Sequence, residues 1–103
     1  MEVTVYILRC ADGSFYTGLT KQEIEARVWE HNNDPNPKSF TFTRRPVTLV
    51  FTETYDRLLD AIAREKQIKG WSRRKKERLI ATDYLGLPDL SRRAHLIGKR
   101  SDR

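Results

Sequence analysis

The chain has 103 residues, of which 38% are hydrophobic and 33% charged, and its formal net charge is +6. This length supports one small domain with a modest core, and the excess of positive charge favours polyanionic partners. The single cysteine, Cys10, excludes an internal disulfide and fits a reducing cytoplasm. Neither a signal peptide nor an apolar run long enough to span a membrane is visible. We therefore expect a cytoplasmic protein without a membrane segment.

The first feature along the chain is a β-hairpin. Two β-prone runs, from about Val3 to Arg9 and from about Phe15 to Leu19, flank an Asp-Gly pair, which is typical of hairpin turns. We expect a three-residue loop, Ala11-Asp12-Gly13, with Gly13 in the left-handed conformation that such loops favour.

The length of this loop decides where two tyrosines lie. A three-residue loop places Tyr6 opposite Gly18, and side-chain alternation then puts Tyr6 and Tyr16 on the same side of the sheet. A two-residue loop would put the two phenols on opposite sides. We favour the first arrangement, which leaves a flat glycine beside Tyr6, although strand tyrosines are also ordinary half-buried sheet residues.

A helix and a third strand follow the hairpin. Thr20 and Glu23 have the spacing of a capping box, which predicts a helix that runs to about His31. A polar loop is expected over residues 34–45. The β-branched run over residues 47–52 predicts the third strand.

Two further helices are expected in the second half of the chain. The first runs from about Asp56 to Lys69, and Ser72 can cap the next, from about Arg73 to Ala81. Beyond this point the pattern weakens. We assign residues 1–83 to one domain and residues 84–103 to a basic C-terminal extension, first a loop and then a basic helix or a frayed tail.

The first helix carries two side chains that could take part in catalysis. Ile24 and Val28 share a face that should point at the sheet, so Arg27 and His31 flank the seam between helix and sheet. There an arginine can grip a phosphate and a histidine can relay a proton. The ordinary alternative is an arginine stem lying along the core edge and a histidine interacting with the helix dipole.

The second helix has a carboxylate in its apolar stripe, which comprises Leu58, Ala61, Ile62, Glu65 and Ile68. A buried charge is rarely kept without a partner, because leaving it unpaired costs several kcal/mol. Two partners are plausible for Glu65: a salt bridge, for example to Arg27, or a hard divalent cation such as Mg²⁺.

Basic residues concentrate around Trp71. They are Lys69, Arg73, Arg74, Lys75 and Lys76, with Arg44 and Arg45 in the earlier loop as further candidates. Such residues interleaved with a tryptophan suit a surface that contacts a nucleic-acid backbone and stacks on a base. The alternative is a solvated helix face with Trp71 as a core anchor.

The ordered set of motifs resembles the GIY-YIG nuclease superfamily, most closely its small stand-alone bacterial members. It consists of Thr4-Val5-Tyr6, Tyr16-Thr17-Gly18, Arg27, His31 and Glu65, and the resemblance covers about residues 3–81. The family has Gly-Ile-Tyr and Tyr-Ile-Gly at the first two positions. Thr4 departs from the first glycine, and no asparagine follows Asn36, where several family nucleases use one near the metal.

The resemblance implies an α+β fold, a small three-stranded antiparallel sheet flanked by helices, and metal-dependent phosphodiester cleavage. Tyr6 and Tyr16 would line the site beside the motif glycine, Gly18, and Tyr6 is favoured as the group that helps to deprotonate water. Arg27 would stabilise the charged transition state and His31 would assist proton transfer. Glu65 would hold one metal ion, Mg²⁺ or Mn²⁺.

The main hypothesis is therefore a cytoplasmic bacterial endonuclease of the GIY-YIG type. We expect it to act as a monomer or weak dimer on nucleic acid, DNA before RNA, with a preference for structure or strand, in DNA repair or processing. The absence of the late asparagine is compatible with weak activity. The alternatives are a non-catalytic nucleic-acid-binding module that uses the basic block, and a domain whose basic face binds an acidic protein.

Overall fold

The computed structural model describes residues 2–85, with side chains described through residue 82. The elements in chain order are β1 (Val3–Arg9), β2 (Phe15–Thr20), α1 (Ile24–Asn33), β3 (Thr48–Tyr55), α2 (Leu58–Lys69) and α3 (Arg73–Leu85). The strands form one antiparallel sheet in the order β2-β1-β3. The α+β fold with a three-stranded antiparallel sheet is thus confirmed.

The central strand β1 is buried on both faces. Val3, Val5 and Ile7 project to one side and Tyr6 and Leu8 to the other, and all five side chains are inaccessible to solvent. A strand that is covered on both sides has a nearly continuous apolar sequence. This explains why β1 lacks the alternation of apolar and polar residues that a half-exposed strand shows.

The first face of the sheet packs against α1. Its buried cluster and the side chains packed on it are Tyr6, Leu8, Cys10 and Val47, with Tyr16, Ile24, Val28 and Leu49. Ile24 and Val28 therefore point at the sheet, as the helical spacing predicted. Their position places Arg27 and His31 at the edge of this layer.

The second face packs against α2 and contains a buried ion pair. Glu53 lies opposite Val5 in the register, and its Oε1 accepts a hydrogen bond from Arg64 Nε of α2 at 2.8 Å. Tyr55 Oη donates to the same carboxylate oxygen at 2.7 Å. Because the buried carboxylate is paired and hydrogen-bonded, its desolvation is compensated and α2 is held on β3.

The hairpin register is confirmed. Tyr6 lies opposite Gly18, and Leu8 lies opposite Tyr16. Gly13 has φ of 87°, the left-handed conformation expected for the end of the loop. Both phenols therefore belong to the face of the sheet that α1 covers.

The capping box at the start of α1 was a wrong prediction. Thr20 is the last residue of β2, where it pairs with Thr4, and its Oγ1 accepts a hydrogen bond from the Gln22 amide at 3.0 Å. The helix begins at Ile24, after Glu23, whose side chain makes no capping hydrogen bond. The threonine hydroxyl closes a local turn instead, which is the competing use of such side chains.

The other boundaries differ by a few residues. Strand β3 continues to Tyr55, because its end pairs with Val3 at the start of β1. Ser72 caps α3 as expected, its Oγ accepting from the Lys75 amide at 3.2 Å, and the helix extends to Leu85. Our predictions for residues 86–103 lie outside the described part of the chain.

The chain divides into two compact units, Met1–Lys69 and Gly70–Arg103. The first contains the sheet with α1 and α2, and the second contains α3. The domain boundary after residue 83 stays a prediction. No helix among residues 2–85 has both the length and the apolar character needed to cross a bilayer.

Replacing Thr17 by valine should stabilise the protein. Thr17 is only 3% exposed, and its Oγ1 has no hydrogen-bond partner within the described part of the structure. Because an unsatisfied buried hydroxyl is destabilising, Thr17→Val should raise the free energy of unfolding by about 1 kcal/mol, as measured by urea denaturation.

The matched control is Thr48→Val, since Thr48 is an exposed residue of β3. This change should alter the free energy of unfolding by less than about 0.5 kcal/mol. A loss of stability in Thr17→Val would show that the buried hydroxyl has a partner, such as a trapped water molecule.

Candidate active site

The centre of the site is a hydrogen bond between β1 and α1. Tyr6 Oη lies 2.9 Å from His31 Nε2, and Arg27 Nε donates to the same phenolic oxygen at 3.2 Å. Tyr6 is fully buried and His31 nearly so. The helix thus brings two candidate side chains onto the hydroxyl of the first motif tyrosine.

Gly18 makes this arrangement sterically possible. A Cβ atom at Gly18 would lie 2.7 Å from Tyr6 Oη, 2.9 Å from Tyr6 Cζ and 3.0 Å from Tyr16 Cε2. Non-bonded atoms do not approach so closely, so a side chain here would displace both rings. The space beside Tyr6, which we expected to be open to an approaching group, is filled by the phenol itself.

Tyr16 is the motif tyrosine that faces a cavity. This cavity has a volume of about 600 Å³ and is lined by Tyr16, Arg27, His31 and residues of the loop after α1. The Tyr16 ring meets His31 edge-on, with 4.9 Å between the centroids, and lies 5.6 Å from Phe40. Tyr6 contacts Arg27 and His31 from the buried side instead of lining this space.

The environment keeps His31 neutral near pH 7. Burial lowers the pKa of its imidazole below the ordinary 6.5, and the positive charge of Arg27 lowers it further. The carboxylates of Glu30 and Asp34 oppose this shift without cancelling it. A neutral imidazole has one nitrogen that can accept a hydrogen bond, so His31 can serve as a proton acceptor.

Tyr6 is also neutral near pH 7. Burial raises the pKa of its phenol above the ordinary 10.0, although the hydrogen bond from Arg27 and the charge of this arginine lower it in part. Free phenolate is therefore scarce at neutral pH. A proton transfer in which the phenol gives up its hydrogen as it receives another would avoid this species.

Arg27 is held at two points. Besides the contact with Tyr6, its Nη1 donates to Glu30 Oε1 at 2.9 Å, one helical turn further on. Gln22 Nε2 donates to the other oxygen of Glu30 at 3.2 Å. We did not identify Glu30 from the sequence, although its spacing from Arg27 is the one that brings side chains together on a helix.

Glu65 pairs with Lys69. Its Oε2 lies 2.9 Å from Lys69 Nζ, and its side chain is 15% exposed. The suggested salt bridge from Glu65 to Arg27 is therefore wrong, because Arg27 uses Glu30 as its carboxylate partner. Glu65 is nevertheless close enough to the site for its negative charge to raise the pKa of Tyr6.

The described side chains could bind a metal ion only if water and the substrate supply most of its ligands. Among the residues that the structure describes, no cluster of three or more His, Cys, Asp or Glu side chains could enclose a metal ion. Glu65 is a single carboxylate, a hard oxygen donor of the kind that Mg²⁺ prefers. Mg²⁺ commonly keeps several waters and takes a substrate phosphate as a ligand, so one carboxylate suffices for a site completed by the substrate.

Arg44 and Arg45, two candidate phosphate ligands, brace the loop between α1 and β3. Arg44 Nη1 donates to the Phe40 carbonyl at 2.7 Å, and its guanidinium lies 4.0 Å from the centre of the Phe40 ring. Arg45 Nη1 donates to the Asn32 carbonyl at 2.8 Å, and its guanidinium stacks over Phe42. Both arginines thus contact the loop, and Phe40, the partner of Arg44, lines the cavity.

The remaining basic candidates belong to α3, which is described here by itself. Arg73 forms an ion pair with the carboxylate four residues further on, at 3.0 Å, and Lys75 lies over the Trp71 ring at 4.4 Å. The others in this helix are Arg74, which is exposed, and Lys76, which is half-buried. Their contact with nucleic acid stays a prediction.

Substituting Gly18 should disturb the site more than the fold elsewhere. Gly18→Ala forces Tyr6 and Tyr16 to move, which should cost about 1–3 kcal/mol of stability through overpacking. It should also shift the ring resonances of both tyrosines and of His31 in NMR spectra, because the Tyr6–His31 hydrogen bond is displaced.

Gly13→Ala provides the comparison. Its cost comes from backbone strain at positive φ, with no atom near the added methyl, so the three ring systems should keep their shifts. Unchanged ring resonances in Gly18→Ala would contradict the steric argument.

The profile of the GIY-YIG catalytic domain matches residues 2–78. UPF0213 protein SSP2268 of Staphylococcus saprophyticus is 48% identical over 77 residues, which is 75% of this chain and 92% of the relative. A UPF0213 protein of Staphylococcus aureus is 49% identical over 76 residues, 74% of this chain and 90% of the relative.

Two solved structures are similar to the fold. The solution NMR structure of UPF0213 protein BH0048 from Bacillus halodurans is 38% identical with a TM-score of 0.52, covering 79% of this chain and 84% of the other. The solution NMR structure of protein EF2693 from E. faecalis is 35% identical with a TM-score of 0.58, covering 82% and 88%.

Proposed function

The chain belongs to the GIY-YIG family, a family of nucleases that generally use a divalent metal, and on that premise we propose that it is a metal-dependent endonuclease. Its substrate would be nucleic acid, DNA before RNA, cleaved with a preference for structure or strand in DNA repair or processing. The observation that carries this proposal is the hydrogen-bonded group of Tyr6, His31 and Arg27, in which Arg27 and His31 line an open cavity and Tyr6 lies behind them.

Arg27 would bind the scissile phosphate. Its guanidinium lines the cavity, and its contacts with Tyr6 and Glu30 fix its position before the substrate arrives. A planar guanidinium can donate two parallel hydrogen bonds to a phosphate and stabilise the charge that develops in the transition state. Such preorganised electrostatic stabilisation is generally the largest contribution of an enzyme to this kind of reaction.

The proton of the attacking water would end on His31. Tyr6 would receive the water's proton while passing its own to Nε2, which avoids a free phenolate of raised pKa. Because Tyr6 is fully buried in the free protein, substrate binding would have to open a path for water to its hydroxyl. Tyr16, which faces the cavity, would orient this water.

The metal would be held by Glu65 together with the phosphate of the substrate. When bound, Mg²⁺ or Mn²⁺ supplies Lewis-acid stabilisation of the phosphate oxygens. Exposed basic side chains of α3, such as Arg74, would contribute the salt-dependent attraction to the nucleic-acid backbone.

Cleavage should depend on pH through His31. Only the neutral imidazole can accept a proton, so kcat/KM should rise as the pH increases through the pKa of His31. Because that pKa is lowered, the acid limb should lie below pH 6.5. An NMR titration of the His31 ring in the free protein should give the same midpoint; a limb above pH 6.5, or one that does not follow the titration, would contradict the assignment.

Glu65→Gln should abolish metal-dependent cleavage. The substitution keeps the shape of the side chain but removes the charged metal ligand, so the rate should fall by about 100-fold or more. Binding of nucleic acid should change little. The test compares labelled single-stranded, duplex, flapped and branched DNA and RNA, with Mg²⁺, Mn²⁺ or EDTA.

Lys69→Met is the matched control for this experiment. It breaks the same Glu65–Lys69 ion pair but keeps the carboxylate, so metal-dependent kcat should be retained, even where the loss of a phosphate contact from Lys69 raises KM. Equal loss of activity in both variants would assign Glu65 a structural role. Binding that is steeply salt-dependent but unaffected by Mg²⁺, with no cleavage of any substrate, would instead favour the non-catalytic nucleic-acid-binding module.

A further inference from the structure

Thr41 lies behind His31, in the loop between α1 and β3. It is fully buried, and its hydroxyl oxygen has three neighbours at hydrogen-bonding distance. These are the backbone carbonyl of His31 at 3.2 Å, Nδ1 of the same histidine at 3.3 Å and Ser39 Oγ at 3.2 Å. A buried threonine that contacts one histidine through both its main chain and its ring is not explained by packing alone.

Counting hydrogens assigns a direction to each of these contacts. A hydroxyl has one hydrogen to donate, and a carbonyl oxygen can only accept, so the Thr41 hydrogen points at the His31 carbonyl. Thr41 Oγ1 is then an acceptor for its two other neighbours. Ser39 donates its hydroxyl hydrogen, and His31 must carry a proton on Nδ1 for the contact at 3.3 Å to be a hydrogen bond.

The same count continues to the other side of the ring. A neutral imidazole with its proton on Nδ1 presents a bare Nε2, which accepts the hydroxyl hydrogen of Tyr6 at 2.9 Å. The oxygen of Tyr6 is then free to accept from Arg27 Nε at 3.2 Å. The donors and acceptors along this path, from Thr41 Oγ1 to Arg27 Nε, are therefore mutually consistent.

We propose that Thr41 is a positioning residue, which fixes His31 in the tautomer with the proton on Nδ1 and so makes Nε2 the acceptor of the Tyr6 proton. The tautomer is a property of the free protein. Its consequence for catalysis rests on the proposed nuclease function.

The opposite tautomer is poorly accommodated. With the proton on Nε2, the Tyr6 oxygen would receive two N–H donors, and the phenolic hydrogen would lose its acceptor. The bare Nδ1 would face the oxygen of Thr41, whose own hydrogen is engaged by the carbonyl. Since unsatisfied buried polar groups are destabilising, the geometry selects the Nδ1 form.

The charged groups around the imidazole act on a different property. Arg27, Glu30 and Asp34 change how readily the ring takes a second proton, and Tyr6 and Tyr16 of the sheet pack against it. Thr41 differs from all of these, because it contacts Nδ1 and therefore distinguishes one nitrogen from the other. In histidines generally, the hydrogen bond made by one ring nitrogen determines whether the other nitrogen is a donor or an acceptor.

Nitrogen-detected NMR of the His31 ring tests the tautomer directly. At about pH 8, well above the ordinary pKa of histidine, the wild-type protein should show a protonated Nδ1 and a bare Nε2. Thr41→Val keeps the size of the side chain but removes the acceptor, so the ring should shift towards the other tautomer or a mixture. Thr41→Ser, which retains the hydroxyl, should keep the wild-type pattern.

Thr43→Val is the matched control, the same substitution at an exposed position of the same loop, and should change nothing. A wild-type ring with its proton on Nε2 would overturn the proposal without any variant, even if Thr41→Val fails to fold. A Thr41→Val protein that keeps the wild-type tautomer would overturn it as well.

Kinetics add a second readout. In the cleavage assay, Thr41→Val should lower kcat by about tenfold or more with little change in KM, and Thr41→Ser should restore most of the rate. A wild-type rate in a Thr41→Val protein of altered tautomer would overturn the catalytic part. Absence of any cleavage by the wild type, with the Nδ1 tautomer observed, would reject the nuclease function and leave the tautomer assignment standing.

Discussion

The hydrogen bond between Tyr6 and His31 is the contact on which the rest of the cavity depends. It joins a buried residue of the central strand to the last turn of α1 and thereby helps to set how the helix lies on the sheet. It requires Gly18, because no side chain could stand where the phenol lies. It also presents the phenolic oxygen to Arg27, so the guanidinium is fixed by the same contact.

A network of this kind is stable only when it is complete. Burying a phenol, an imidazole and a hydroxyl is unfavourable unless each finds a partner, and a low local dielectric makes an unpaired member costly. Here the hydrogen bonds run without a gap from the Thr41 hydroxyl through His31 and Tyr6 to Arg27 and Glu30. The same completeness that lets these groups be buried also holds them in one arrangement.

Short-range regularities of the sequence predicted much of this geometry. Loop length and strand alternation sufficed for the Tyr6–Gly18 register, since both follow from local backbone rules. Helical spacing sufficed to place Arg27 and His31 at the seam. The capping-box pattern failed at Thr20, because a threonine hydroxyl can close a turn as readily as it can cap a helix.

The contacts that the sequence did not reveal are of two kinds. Thr41 and the bracing role of Arg44 depend on how a long loop folds back on α1, and no periodicity describes such a path. The partner of Glu65, in contrast, could be predicted from the sequence. Lys69 lies four residues further along the same helix, and this spacing brings two side chains together, so helical geometry alone suffices for the ion pair.

The ion pair between Glu65 and Lys69 has a consequence for how a metal would bind. A cation at Glu65 has to replace an ammonium group that lies 2.9 Å from the carboxylate, and the described residues offer no cluster of further ligands to offset that loss. The phosphate of a substrate can supply an oxygen ligand to the metal. The same phosphate can give the displaced ammonium group of Lys69 a new anionic partner. Metal binding would therefore be coupled to substrate binding, with little affinity for the ion in the free protein. Such a site would stay inert until nucleic acid completed it.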